Sequence, residues 1–183
     1  MNAMSPRQAG KTDPGARDPQ LVSLKHEIEI QWALPQDRDF PTDSEMREWV
    51  RAALEQLDAP PVAVCVRLMN RDEIAGLNER YRGKPAATNV LSFPGDGQDE
   101  EGRALLGDIA LCTDVVIEEA RAQGKSLAAH AAHMLVHGVL HLEGYDHEED
   151  QAAHQMEGIE VDILRTFGFD NPYKDTNGAE DES

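Results

Sequence analysis

The period of the hydrophobic positions changes along this chain, and each change marks an element. "LVSLKHEIEIQWA" (21–33) alternates and reads as a strand. "PTDSEMREWVRAALEQL" (41–57) takes a helical period, with Thr42 three residues before Glu45 as a capping box. "PVAVCVRLMN" (61–70) is a β-branched apolar run, hence a strand, and "RDEIAGLNERY" (71–81) a short helix. "NVLSFPG" (89–95) and "LLGDIALC" (105–112) predict two further strands, joined as a hairpin across an acidic, glycine-containing loop. Beyond them the pattern is helical over 113–123, 126–144 and 148–168. The order β-α-β-α-β-β-α-α-α predicts an α+β fold, a small mixed sheet of about four strands packed with helices in a single domain. The strand–helix–strand crossover predicts a parallel pair, and the two adjacent last strands an antiparallel one.

One helix changes the picture. At about 100° per residue, His130, His133, His137 and His141 fall within about 40° of one direction. The rest of "SLAAHAAHMLVHGVLHLEG" is apolar nearly all round, so the helix belongs in the interior. Four histidines on a buried helix need partners, because unpaired polar groups are costly there. His137 and His141, one turn apart, lie about 5–6 Å apart at Cβ, near enough to share a metal. On a continuous helix His147 would sit about 15 Å beyond His137. Gly144 removes that difficulty, since a helix ends readily at a glycine and the chain reverses there. His137, His141 and His147 are therefore the expected metal ligands. Three imidazoles with an open fourth position suit one catalytic zinc per chain. His133 and His130 are expected to line the groove or to support the ligands. His26 and His154 are expected to be structural or exposed.

The spacing H-x-x-x-H-x-x-G-x-x-H is how metzincin proteases hold zinc, but Gly138 stands where such a protease carries its glutamate base. Zinc brings the pKa of a bound water to about 7 unaided, but a peptidase still needs a carboxylate to carry a proton to the leaving amine. In a phosphodiester the leaving oxygen and the phosphoryl charge are stabilised by metal and cation. The glycine thus favours an anionic substrate, with Glu143 or Asp146 as alternative bases. Between Arg67 and Lys84 the chain holds Arg67, Arg71, Arg80, Arg82 and Lys84 against Asp72, Glu73 and Glu79. Arg82, beside a turn glycine, is the candidate for a functional arginine, whose planar fork matches phosphate. Arg82 and His137 are the candidate catalytic residues.

Composition sets bounds on this reading. The chain has 183 residues and 40% hydrophobic content, suited to one globular domain. Residues 1–20 are expected to be a disordered extension, 21–173 a metal-dependent hydrolase domain, and 174–183 a disordered acidic tail. No apolar run is long enough for a membrane span, and the N-terminus lacks the apolar stretch of a secretory signal. Cys65 and Cys112 lie in apolar runs and read as reduced, buried thiols, so a cytoplasmic location is expected. The net charge of −18 opposes generic nucleic-acid binding. Any RNA contact must therefore use a local basic region, and no membrane or DNA partner is expected.

Together "HMLVHGVLHLEGYDHEED", "YRGKPAATNVLSFPG", "LLGDIAL" and the closing "GFDNPY" resemble the YbeY family of bacterial endoribonucleases, over roughly residues 21–173. The resemblance implies a zincin-like α+β fold with one zinc on His137, His141 and His147. It implies a single-strand-specific, zinc-dependent endoribonuclease acting in 16S rRNA 3′-end maturation and ribosome quality control. Its partners would be single-stranded rRNA and the ribosome or its small-subunit proteins. It also places the family's functional arginine at Arg82. The competing expectations are a metal-stabilised ribosome-assembly factor without catalysis and a zincin-type metallopeptidase.

Overall fold

The computed structural model describes residues 24–146 and 149–174. The expectations placed on residues 1–20, on His147 and on the tail beyond Lys174 lie outside the described residues. Nine elements follow the expected order: β1 (Glu27–Trp32), α1 (Asp43–Gln56), β2 (Val62–Met69), α2 (Arg71–Arg82), β3 (Val90–Pro94), β4 (Ala104–Cys112), α3 (Thr113–Ala122), α4 (Leu127–Leu142) and α5 (Asp150–Thr166). The sheet order is β1-β2-β4-β3. β1 and β2 are parallel, as the crossover through α1 requires, and β3 and β4 are antiparallel. β2 also runs parallel to β4, so the hairpin is added to the β2 edge and β3 becomes the outer strand.

Alternation within the strands sorts the side chains between two layers. Ile28 and Ile30 of β1 and Val62, Val64, Val66 and Leu68 of β2 join the main core with residues of α1, α4 and α5. The opposite face carries Met69, Leu91, Ala110 and Cys112, which pack with Ile74 of α2 in a smaller core. α1 starts as expected: the Thr42 side chain accepts from the Glu45 N–H, and the Glu45 carboxylate accepts from the Thr42 N–H. The acidic hairpin loop is held by Arg103, which donates to Asp99 at 2.6 Å, and Asp99 also accepts backbone N–H groups of Glu101 and Arg103.

α4 is the central helix. Eleven of its sixteen residues are buried, which makes it an interior helix rather than an amphipathic cover. It touches α1, α3, α5, β3 and β4. Its alanine, leucine and methionine residues are strong helix formers, and the Ser126 hydroxyl caps it by accepting from the Ala129 N–H at 3.1 Å. Each fully buried Leu, Val or Met contributes about 1.5–3 kcal/mol, so packing fixes this helix more firmly than propensity does. Among the described residues no helix is long and apolar enough to cross a membrane. Cys112 is buried as expected, whereas Cys65 is only half-buried, because it faces the thinly covered side of the sheet; both thiols are free.

Candidate metal centre

The histidines stand in a row because their spacing of 3, 4 and 4 puts them on one side of α4. Ring centroids lie 6.3 Å apart from His130 to His133, 6.3 Å from His133 to His137 and 4.4 Å from His137 to His141. The row divides by burial: His130 and His133 are 2% and 8% exposed, while the rings of His137 and His141 reach solvent in part. The end of the row that solvent reaches is therefore the C-terminal one.

At that end, His137 Nε2 and His141 Nε2 converge to 2.9 Å. The other nitrogen of His137 is committed, since Nδ1 lies 2.8 Å from Glu160 Oε1. An ionised carboxylate only accepts, so His137 Nδ1 carries the proton and Nε2 is the ring's acceptor. Two imidazole nitrogens thus point at one place from adjacent turns, a donor set that suits zinc and other borderline metals. Among the described residues no group of three or more histidine, cysteine or carboxylate side chains gathers around one point, the third expected ligand being His147.

The helix does end where expected. Gly144 has φ +89, which a side-chain-bearing residue rarely adopts. The Tyr145 N–H donates to the Leu140 carbonyl at 3.0 Å and the Gly144 N–H to the His141 carbonyl at 3.1 Å, closing the helix in a Schellman motif. Tyr145 and Asp146 follow, leading toward residue 147. Glu143 caps this end of α4, and burial raises its pKa above the usual carboxylate value.

Behind the row lie two carboxylates that the sequence reading did not single out. Glu160 of α5 is fully buried. Besides His137 it meets His133 Nε2 at 3.4 Å and accepts from the Tyr173 hydroxyl. Burial alone would raise its pKa; the hydrogen bonds from His133, His137 and Tyr173 outweigh that and hold it at about 2. Burial and then the hydrogen bond to Glu160 hold the Tyr173 phenol protonated, well above its ordinary value. Glu119 of α3 plays the same part for His130, whose Nε2 lies 2.7 Å from Glu119 Oε2. Burial lowers the pKa of His130, and Glu119 offsets part of that. Asn89 Nδ2 also donates to Glu119, at 3.1 and 3.3 Å. His130 and His133 are thus buried rings, each set against a carboxylate.

Gly138 answers the question its position raised. It lies where α4 presses on the sheet, and a Cβ there would come within 3.0 Å of Ile109 Cγ2 and 3.3 Å of Ser92 Oγ. Ser92 Oγ donates to the Gly138 carbonyl at 3.0 Å, tying the edge strand to the helix. A glutamate there would have to enter the packed contact between helix and sheet.

Arg82 is the last residue of α2, exposed, and followed by Gly83 at φ +68. Among the described residues its side chain makes no hydrogen bond or ion pair, with the histidine row or with any other group. Its neighbours in the basic stretch differ: Arg71 is paired with Glu118 at 2.5 Å and Arg67 with Glu73 at 3.6 Å. His26 accepts from the Val62 N–H and His154 contacts the Asp150 carbonyl of its own helix, both structural roles.

The family model described as Endoribonuclease YbeY matches residues 32–168. A protein named Endoribonuclease YbeY from Methylococcus capsulatus is 48% identical over 135 residues, spanning 74% of this chain and 88% of that one. One of the same name from a Janthinobacterium species is 44% identical over 153 residues, spanning 84% and 97%. The solution structure of TM1509 from Thermotoga maritima shares the fold with a TM-score of 0.51 at 26% identity, covering 84% of this chain and 99% of that one. The family resemblance drawn from the motifs is thereby borne out: the chain belongs to the YbeY endoribonuclease family.

Proposed function

We propose that this protein is a metal-dependent endoribonuclease that cuts single-stranded RNA, acting in 16S rRNA 3′-end maturation and ribosome quality control in the cytoplasm. His137, His141 and His147 would hold one zinc. The observation that carries this reading is the convergence of His137 Nε2 and His141 Nε2 at the solvent-reaching end of an otherwise buried row. Family membership supplies the substrate class.

Bound there, zinc would supply Lewis acidity, stabilising negative charge on phosphoryl oxygen and lowering the pKa of a water. The chain's own residues do the rest. Glu160 sets the tautomer of His137 and so presents Nε2 outward. Arg82, engaged by no acidic side chain among the described residues, is available to grip a substrate phosphate and to stabilise the charge that builds during cleavage. The substrate must be brought in locally, since a net charge of −18 repels polyanions at a distance. A peptidase is disfavoured by packing as well as by sequence, because the contact at Gly138 holds no carboxylate.

The test is cleavage of an end-labelled single-stranded rRNA fragment by wild type and Arg82→Ala, with metal content measured on both. The variant should keep the wild-type metal and lose cleavage. Equal cutting by both, or none above a metal-free control, would leave a non-catalytic assembly factor as the better description.

A further inference from the structure

His137 is held by a chain of contacts that ends at Tyr173, in the C-terminal segment. We infer that Glu160 and Tyr173 are positioning residues of the metal centre, so that the segment Asp170–Lys174 is part of the site; this rests on the metal-dependent reading above.

Glu160 is 0% exposed, and an ionised carboxylate is tolerated at such depth only when its oxygens are satisfied. Its two oxygens divide the work. Oε1 takes the His137 Nδ1–H at 2.8 Å. Oε2 takes the Tyr173 hydroxyl and lies 3.4 Å from His133 Nε2. Turning the carboxylate to serve one side would break the other. Glu160 thereby locks both the ring plane and the tautomer of His137: the alternative tautomer would set a nitrogen lone pair against a carboxylate oxygen.

Tyr173 closes this arrangement from the surface. Its ring meets His133 edge-on, with centroids 5.3 Å apart, and its hydroxyl lies 3.1 Å from His133 Nε2. The segment carrying it is fastened to the fold where Lys125 Nζ donates to the Pro172 carbonyl at 2.7 Å, and it is shaped internally by the Tyr173 N–H, which donates to Asn171 Oδ1 at 2.9 Å. Tyr173 is 42% exposed, so apolar packing does not account for its place. What it supplies is a donor to Glu160 and a cover over the buried carboxylate.

The experiment measures zinc affinity, by competition with a chromophoric chelator, and the visible spectrum of the cobalt(II) form. It compares wild type, Glu160→Gln, Tyr173→Phe and the double variant. Glu160→Gln should weaken zinc binding about 10–100-fold and alter the cobalt bands. Tyr173→Phe, which removes one oxygen from a part-exposed side chain, should shift both in the same direction by less. The double variant should be no worse than Glu160→Gln alone, because Tyr173 acts through Glu160. Should Glu160→Gln fail to fold, Tyr173→Phe decides alone. Zinc affinity and cobalt bands in that variant equal to those of wild type would overturn the inference and leave the functional reading standing. Wild type that binds no metal and cuts no RNA would overturn both.

Discussion

Restoring the protease-like glutamate, Gly138→Glu, tests whether packing or chemistry keeps it out. A Cβ at 138 already meets Ile109 Cγ2 at 3.0 Å, Ile109 Cδ1 at 3.2 Å and Ser92 Oγ at 3.3 Å, and Ile109 is fully buried on β4. For Gly138→Ala, the helix gains about 1 kcal/mol from the better helix former. Overpacking costs about 1–3 kcal/mol, so the net change is a loss between nothing and about 2 kcal/mol. The glutamate adds the overpacking of further atoms and an unpaired carboxylate, whose effective burial penalty is several kcal/mol. The sum reaches about 5 kcal/mol or more, which is the scale of a whole domain's stability. Urea unfolding followed by circular dichroism reads this directly. Gly138→Ala should unfold at or somewhat below the wild-type midpoint, and Gly138→Glu should show no cooperative transition. In an Ile109→Val background, which deletes Cδ1, the alanine penalty should shrink by about 0.5–1 kcal/mol. A Gly138→Glu protein with the wild-type midpoint would refute the packing explanation, and one that also hydrolysed peptides would revive the peptidase.

Two further outcomes follow from contacts near the row and on the open face of the sheet. Asn89→Asp sets a second carboxylate about 3 Å from Glu119, at the position where Asn89 Nδ2 now donates at 3.1 Å. It should cost about 1–3 kcal/mol at neutral pH. The difference should narrow as the pH falls through the carboxylate range and one group takes a proton; an unchanged midpoint at pH 7 would contradict the Glu119 network. Cys65 has its pKa raised to about 11, by burial first and then by the Asp108 and Glu29 carboxylates. Only the thiolate reacts, so at pH 8 alkylation of Cys65 should be about a hundredfold slower than for an unperturbed thiol. Its rate, followed by peptide mapping, should climb through pH 10, and a plateau by pH 9 would argue against the shift.

The fold was legible because its signals are local. The capping box at Thr42, the β-branched run of β2 and the turn at Gly144 each depend on a few neighbouring residues, and each appears where expected. The all-round apolar character of α4 likewise announced an interior helix, and the 3, 4, 4 spacing placed four rings on one line. The support behind that line was not legible in the same way. Glu160 shares its helix with Glu157 and Asp162, and nothing in its type distinguishes it. One signal was present: Glu160 falls at helical spacing between Met156 and the pair Ile163 and Leu164, so it occupies the buried stripe of α5, where a carboxylate needs a reason. Tyr173 gave no such sign, because its partner is set by how the C-terminal segment folds back over α4. Arg82 was picked out by its glycine neighbour, and the structure shows it exposed and free of acidic partners among the described residues, without joining it to the histidines.

The most direct test of the central claim is a zinc titration of chelator-stripped protein, with cleavage of a labelled single-stranded RNA followed at each addition. Cleavage should be absent at the start, rise in proportion to added zinc and level off at one equivalent per chain. Full activity in the stripped protein, or one equivalent of zinc bound with no cleavage, would contradict it.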